Sequence, residues 1–179
     1  MFRIIYLFWI ALLLTACGSR QPAYHTETYK GKPVLVGEIN ESILRQKPYA
    51  EWFEESYRDY RPRDSVMRAL KKIDWKPFRI EIYMGTWCPD SQEHVPVFLR
   101  ILHEAGFPAK QVKIFALPRH YAQSPLVKGK HIIRVPTFIV YKNGKEAGRI
   151  IEYPMKSLEE DLLDIASGRP YVHDYQKEQ

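Results

Sequence analysis

The feature that most constrains this chain is a strand, a tight turn and a helix in immediate succession between residues 78 and 105. Phe78-Arg79-Ile80-Glu81-Ile82-Tyr83-Met84 is rich in β-branched and aromatic residues and is bounded by Pro77 and Gly85, which predicts a strand. Beyond the turn, Val95, Phe98, Leu99 and Leu102 recur at i, i+3, i+4 and i+7, the apolar stripe of a helix over 89–105 that stops at Gly106. Cys88 falls at the junction, immediately before Pro89, the residue type preferred at the first helical position. A cysteine at that N-cap meets unpaired backbone N–H groups and the positive end of the helix dipole, which favour a thiolate over a thiol. Asp90 acts against this, because its negative charge in the first turn benefits the helix while disfavouring a neighbouring thiolate.

The alternation continues downstream. Gln111 to Leu117 is a second predicted strand, Thr137 to Lys142 a third and Gly148 to Tyr153 a fourth, the last two joined by the two-residue turn Asn143-Gly144. Ser157 with Glu160 forms a capping box that opens a helix carrying Leu158, Leu162, Leu163 and Ile165, closed by Gly168 and Pro170. Upstream, Val34 to Val36 reads as a short strand. Two helical patterns follow, one around Trp52, Phe53 and Tyr57 and one with Val66, Met67, Leu70 and Ile73, with Asp64 as the expected N-cap of the second. The aromatics Tyr49, Trp52, Phe53, Tyr57 and Tyr60 at helical spacing read as core, with a partner surface as the alternative. Residues 18–33 are polar, carry Gly and Pro breakers and show no apolar period, and are expected to be a tether.

An apolar fraction of 45% over 179 residues is enough for one packed core and excludes wholesale disorder. The net charge of +6 is spread along the chain without a block of like charges, which gives nucleic-acid binding no support. Six histidines without ligand spacing predict no metal site, and no motif calls for a cofactor. At the N-terminus, Arg3 precedes an apolar run from Ile4 to Leu14, too short to span a bilayer and ordered like a secretory signal. The following Leu14-Thr15-Ala16-Cys17 resembles the bacterial lipoprotein lipobox. That resemblance implies that residues 1–16 are removed and that Cys17 is lipidated, anchoring the chain in the cell envelope on the periplasmic side. Gly18 in place of Asp points to the outer rather than the inner membrane. A plain signal peptide with an incidental cysteine is the alternative. With Cys17 acylated, Cys88 is the single thiol in an oxidising compartment, either buried and inert or reactive.

Thr86-Trp87-Cys88-Pro89-Asp90-Ser91, between a buried strand and an amphipathic helix, resembles the active-site turn of the thioredoxin superfamily with its second cysteine replaced by Ser91. Pro96 matches the helix-kinking proline of that family. Arg134-Val135-Pro136-Thr137-Phe138, followed by Tyr141-Lys142-Asn143-Gly144-Lys145, is similar to its cis-proline loop and hairpin. The resemblance implies an α/β thioredoxin-like fold over 76–170: a central mixed sheet of about four to five strands flanked by helices. A helical extension over 34–75 precedes it, the lipidated cysteine and tether over 17–33 precede that, and a tail over 171–179 follows.

It also implies site roles: Cys88 as nucleophile, Ser91 with its hydroxyl near the sulfur, and Trp87, Val135 and Pro136 as the substrate-holding rim. Trp87 packing over the turn is an equal alternative. Without a resolving cysteine, attack by Cys88 stops at a mixed disulfide until an external thiol releases it. The family's buried acid, six residues before the nucleophile, is Ile82 here. His94 is placed on a different helix face from Cys88. His103 lies on the same helix, and His120 and His131 flank a loop and read as surface residues. The expected function is thiol-disulfide exchange with exported proteins or small thiols. A non-catalytic peptide-binding module is the alternative.

Overall fold

The computed structural model describes residues 23–175. Its sheet has six strands in the order β1-β2-β4-β3-β5-β6, formed by β1 (Tyr24–Tyr29), β2 (Lys32–Ile39), β3 (Phe78–Met84), β4 (Val112–Ala116), β5 (Thr137–Lys142) and β6 (Lys145–Ile151). Only β3 and β4 pair in parallel, and α4 (Pro89–Glu104) supplies the long crossover that a parallel pair requires. The remaining neighbours are antiparallel. The other helices are α1 (Glu41–Leu44), α2 (Ala50–Asp59), α3 (Asp64–Leu70) and α5 (Leu158–Ala166).

Strand alternation divides the molecule. From β3, Ile80, Ile82 and Met84 point into the helical layer, where α4 and α5 pack on the sheet, α2 packs on α4 and α3 on α5. Phe53, Phe98 and Phe138 are fully buried there, Phe98 and Phe138 with ring centroids 4.3 Å apart. The aromatics of α2 therefore belong to the core: Phe53 and Tyr49 are buried, and Trp52, Tyr57 and Tyr60 pack against them. Glu81 and Tyr83 face the opposite side. Among the described residues no α-helix covers it; the segment 117–136 does, with two short 3-10 turns at Tyr121–Gln123 and Pro125–Val127.

Several expectations change. The sheet has six strands rather than four to five, because residues 24–33, expected as part of a tether, belong to the β1–β2 hairpin. β1 is an edge strand with four of its six residues exposed, so no face of it carries an apolar signal. Its turn, Lys30-Gly31, has φ of 50° and 74°, the left-handed pair that two-residue hairpins need. β2 extends beyond Val34–Val36 and joins the sheet by pairing Gly37–Ile39 with β4. β6 begins at Lys145, three residues earlier than expected, because its first half is exposed and polar. β4 is shortened at its start by a 3-10 turn at Ala109–Gln111. Arg63 rather than Asp64 is the N-cap of α3.

The segment 171–175, expected as tail, folds back: Tyr171 donates to Asp161 at 2.8 Å, His173 is buried, and Tyr175 bonds Glu152. Among the described residues, no helix is long and apolar enough to cross a membrane. The signal segment, Cys17 and the tail beyond Tyr175 lie outside the described residues.

Candidate active site

Cys88 is the N-cap residue of α4, with extended backbone (φ −96°, ψ 122°) and Pro89 opening the helix. β3 delivers it to the C-terminal end of the sheet. The turn between them is tight because Gly85 permits a close approach: a Cβ there would lie 2.5 Å from the Trp87 ring. Thr86 ties the turn to the N-terminal hairpin, its hydroxyl accepting the Leu35 N–H at 3.1 Å, and Gln92 donates to the Thr86 carbonyl at 2.7 Å.

The Val135–Pro136 peptide is cis, as the resemblance implies, and the Val135 carbonyl faces the nucleophile. Cys88 Sγ donates to it at 3.3 Å and lies 3.7 Å from Asp90 Oδ2. The carbonyl of Val135, a residue expected to hold substrate, is thus engaged by the thiol itself. Cys88 is 6% exposed and belongs to the apolar cluster of Tyr83, Leu117, Val127, Ile132, Val135 and Ile139. Ser91 departs from expectation. It is fully buried and its Oγ accepts the Gly85 N–H at 3.2 Å, so it holds the turn; among the described residues no hydrogen bond joins it to the sulfur. Nor do the amides of the first helical turn cap Cys88 through its side chain.

Trp87 packs over the turn. Its indole donates to the Leu117 carbonyl at 2.9 Å, stacks on Tyr121 at 6.4 Å and meets Tyr29 edge-on at 6.5 Å. The guanidinium of Arg119 lies 4.6 Å over its ring. Tyr121 in turn donates to the Ile133 carbonyl at 3.2 Å, linking the Trp87 side of the site to the cis-proline loop. Burial raises the Tyr121 phenol, against the pull of Arg134 and Arg119. Tyr29 is moved down, chiefly by the Arg119 guanidinium beside it. None of Tyr29, Arg119 and Tyr121 was legible as a site residue. They come from separate segments with no common spacing, and only the six-stranded sheet brings them together.

Beneath the loop lies a second group missed from the sequence. Ile82, at the position of the family's buried acid, points into the helical core, while Glu81 faces the loop layer at 6% exposure. Its Oε2 accepts from Lys130 at 2.6 Å, Tyr83 at 3.0 Å and Tyr141 at 3.1 Å, and Arg79 lies 3.3 Å from Oε1. Burial alone would raise the Glu81 carboxyl, but Lys130 and the two phenols outweigh it and hold it below its ordinary value. Arg149 adds donors to the carbonyls of Lys130 and His131 at 2.9 and 3.1 Å. These contacts fasten the loop that carries Val135 and Pro136. The available sequence signal was a lone acid, two residues from Arg79, inside a mostly apolar strand.

The histidines stand apart from the sulfur. His103 pairs with Glu41 at 3.1 Å and Tyr57 at 2.8 Å near the far end of α4, His94 is half-buried, and His120 and His131 are exposed. Among the described residues, no group of three or more His, Cys, Asp and Glu side chains could hold a metal ion.

A family model described as Thioredoxin matches residues 38–164. A comparison with curated proteins finds no match. Among solved structures, the chain is similar to an HIV epitope scaffold, with 16% identity and a TM-score of 0.50, over 68% of this chain and 83% of that one. It is also similar to a protein of unknown function from Pseudomonas aeruginosa, with 18% identity and a TM-score of 0.44, over 70% of this chain and 73% of that one. The family match spans well over half of the sequence, from the end of β2 into α5, and takes in both the Cys88 turn and the cis-proline loop: the chain belongs to the thioredoxin family.

Proposed function

We propose that this thioredoxin-family protein carries out thiol-disulfide exchange through a single nucleophile, Cys88, on exported proteins or small thiols. The observation that carries the reading is the position of Sγ, at the start of α4 and 3.3 Å from the Val135 carbonyl across the cis-proline loop. In the step itself the Cys88 thiolate, its proton released to water, attacks a substrate disulfide. A new sulfur–sulfur bond forms to Cys88 and the second substrate sulfur leaves with the electron pair of the broken bond. An external thiol then attacks the mixed disulfide and releases Cys88 reduced. Val135 positions the sulfur until a substrate takes its place at the carbonyl. The lipobox-like Leu14-Thr15-Ala16-Cys17 extends the proposal to a periplasm-facing, lipid-anchored protein, more in keeping with the outer membrane.

Trapping tests the exchange. Cells producing the wild-type chain are expected to accumulate protein adducts that dithiothreitol releases and that vanish in Cys88→Ala; identical adducts in both would overturn the reading. Palmitate labelling lost in Cys17→Ala tests the anchor. The buried Ser91, given over to the Gly85 amide, favours a second reading, a binding module without turnover. On that reading Cys88→Ser keeps full partner capture.

A further inference from the structure

Charge around the sulfur is uneven. Most described arginines are locked to carboxylates: Arg45 to Glu41 and Glu54, Arg100 to Glu104, Arg149 to Glu146. Arg119 and Arg134 are exposed and have no carboxylate partner among the described residues, and both stand at the rim of the Cys88 site. The Arg119 guanidinium stands over the ring of Trp87, the residue before the nucleophile, at 4.6 Å from its centroid. Arg134 precedes Val135, whose carbonyl receives the thiol, and its contacts are the Ile133 carbonyl at 3.1 Å and the Tyr175 ring at 5.5 Å. Tyr121 spans the gap between them, stacked on Trp87 and bonded to Ile133.

A guanidinium resting on an aromatic face keeps its N–H edge available, and that planar edge matches a carboxylate with two parallel hydrogen bonds. The opposing charge, Asp90 at 3.7 Å from Sγ, sits on the helix side of the sulfur, whereas both arginines sit on the loop side. Glu152, near the loop, is bonded to Tyr175. An incoming disulfide therefore meets a cationic rim along the loop.

We infer that Arg119 and Arg134 select disulfides and thiols that carry carboxylates close to the reacting sulfur. The selection rests on the exchange proposed above and names its substrate class. Glutathione-like small thiols and acidic protein segments share this chemistry.

Exchange of the full chain is measured with three symmetrical disulfides: dithiodipropionate (anionic), hydroxyethyl disulfide (neutral) and cystamine (cationic). The Cys88 rate is taken by difference from Cys88→Ala and normalised to a neutral model thiol reacting with the same reagents. The expected order is anionic, neutral, cationic, with about tenfold between the extremes at low salt and a smaller ratio at high salt. Arg119→Gln and Arg134→Gln are each expected to collapse the ratio and Arg119→Lys to restore much of it. Arg68→Gln, which removes an exposed arginine of α3 that has no carboxylate partner among the described residues, keeps it.

Equal normalised rates in the wild type, or a ratio that survives both glutamine variants, overturns the inference while leaving exchange intact. Failure of Cys88 to react even with the neutral disulfide overturns exchange, and the inference with it. Two further reagents separate the sources: glutathione disulfide and a peptide disulfide flanked by glutamates. Preference for either over the neutral reagent upholds the inference and names the source; preference for neither overturns it.

Discussion

The two faces of the sheet are held by different physics, and Cys88 sits on the seam between them. On one face, α2 to α5 bury a continuous apolar layer around Phe53, Phe98 and Phe138. On the other, the irregular segment 117–136 covers a small apolar cluster and is fastened mainly by polar contacts: Lys130 to Glu81, Arg149 to two carbonyls, Tyr121 to Ile133. Apolar burial is non-directional and sums over area, whereas each hydrogen bond contributes only about 0.5–1.5 kcal/mol net but fixes a direction. The helical face therefore sets the stability of the domain. The loop face sets where Val135 stands relative to the sulfur.

The comparison is broken most directly by core truncation. Phe98→Ala, at a fully buried site against Phe138, is expected to cost about 3–5 kcal/mol in urea unfolding. Ile132→Ala, in the loop-face cluster at 9% exposure, is expected to cost about 2 kcal/mol. Equal losses would mean that both faces carry the fold alike.

Glu81→Ala leaves Lys130 and Arg79 without their carboxylate. The expected cost is about 2 kcal/mol, below the about 3–5 kcal/mol of a fully buried pair, because Lys130 keeps 32% of its side chain in water. This variant is also expected to change the alkylation rate of Cys88, since the loop carrying Val135 loses its anchor. An unchanged rate would separate the loop from the site. At the seam, Gly85→Ala forces a methyl into the Trp87 ring, with an expected cost of about 1–3 kcal/mol and a shift in tryptophan fluorescence.

The smallest effects are those of pH. The Glu81 carboxyl is held below its ordinary value of 4.5, so its contribution is fully present above that value and is lost as pH falls through the depressed one. Glu81→Gln should flatten that acid limb in denaturation midpoints measured against pH. His173 titrates in the other sense of charge. Burial, with Arg149 nearby, keeps it neutral below its ordinary 6.5. The unfolded chain thus binds the proton first, and the docking of residues 171–175 weakens as pH falls below 6.5. Lower amide protection there at pH 5.5 than at pH 7, after correction for the slower intrinsic exchange at low pH, is the expected result, and the difference should vanish in His173→Gln.

The elements that carry a strong apolar run or stripe between turn residues were readable. β3 and β5 occur within the predicted bounds, α4 ends one residue early, and the Asn143-Gly144 turn falls where its residues demand it. β1 was not readable, because an edge strand exposed on both faces has no hydrophobic period. Within the site, Cys88, Val135 and Pro136 come together as the family resemblance implied, yet the partner of Ser91 was not foreseeable. Its hydroxyl was expected near the sulfur, and only the path of the turn brings the Gly85 amide to it instead.

By itself the sequence determined the strand-turn-helix that puts one cysteine at a helix N-terminus, because period, capping and turn chemistry act over a few neighbouring residues. Tertiary structure alone decided that Glu81 rather than Ile82 would meet Lys130, that the thiol would rest on the Val135 carbonyl, and that Arg119 and Arg134 would stand beside the site with no carboxylate partner among the described residues. Those outcomes depend on which distant segments the sheet order brings into contact. Contact across 40 or 50 residues of chain is a property of packing, which no local pattern encodes.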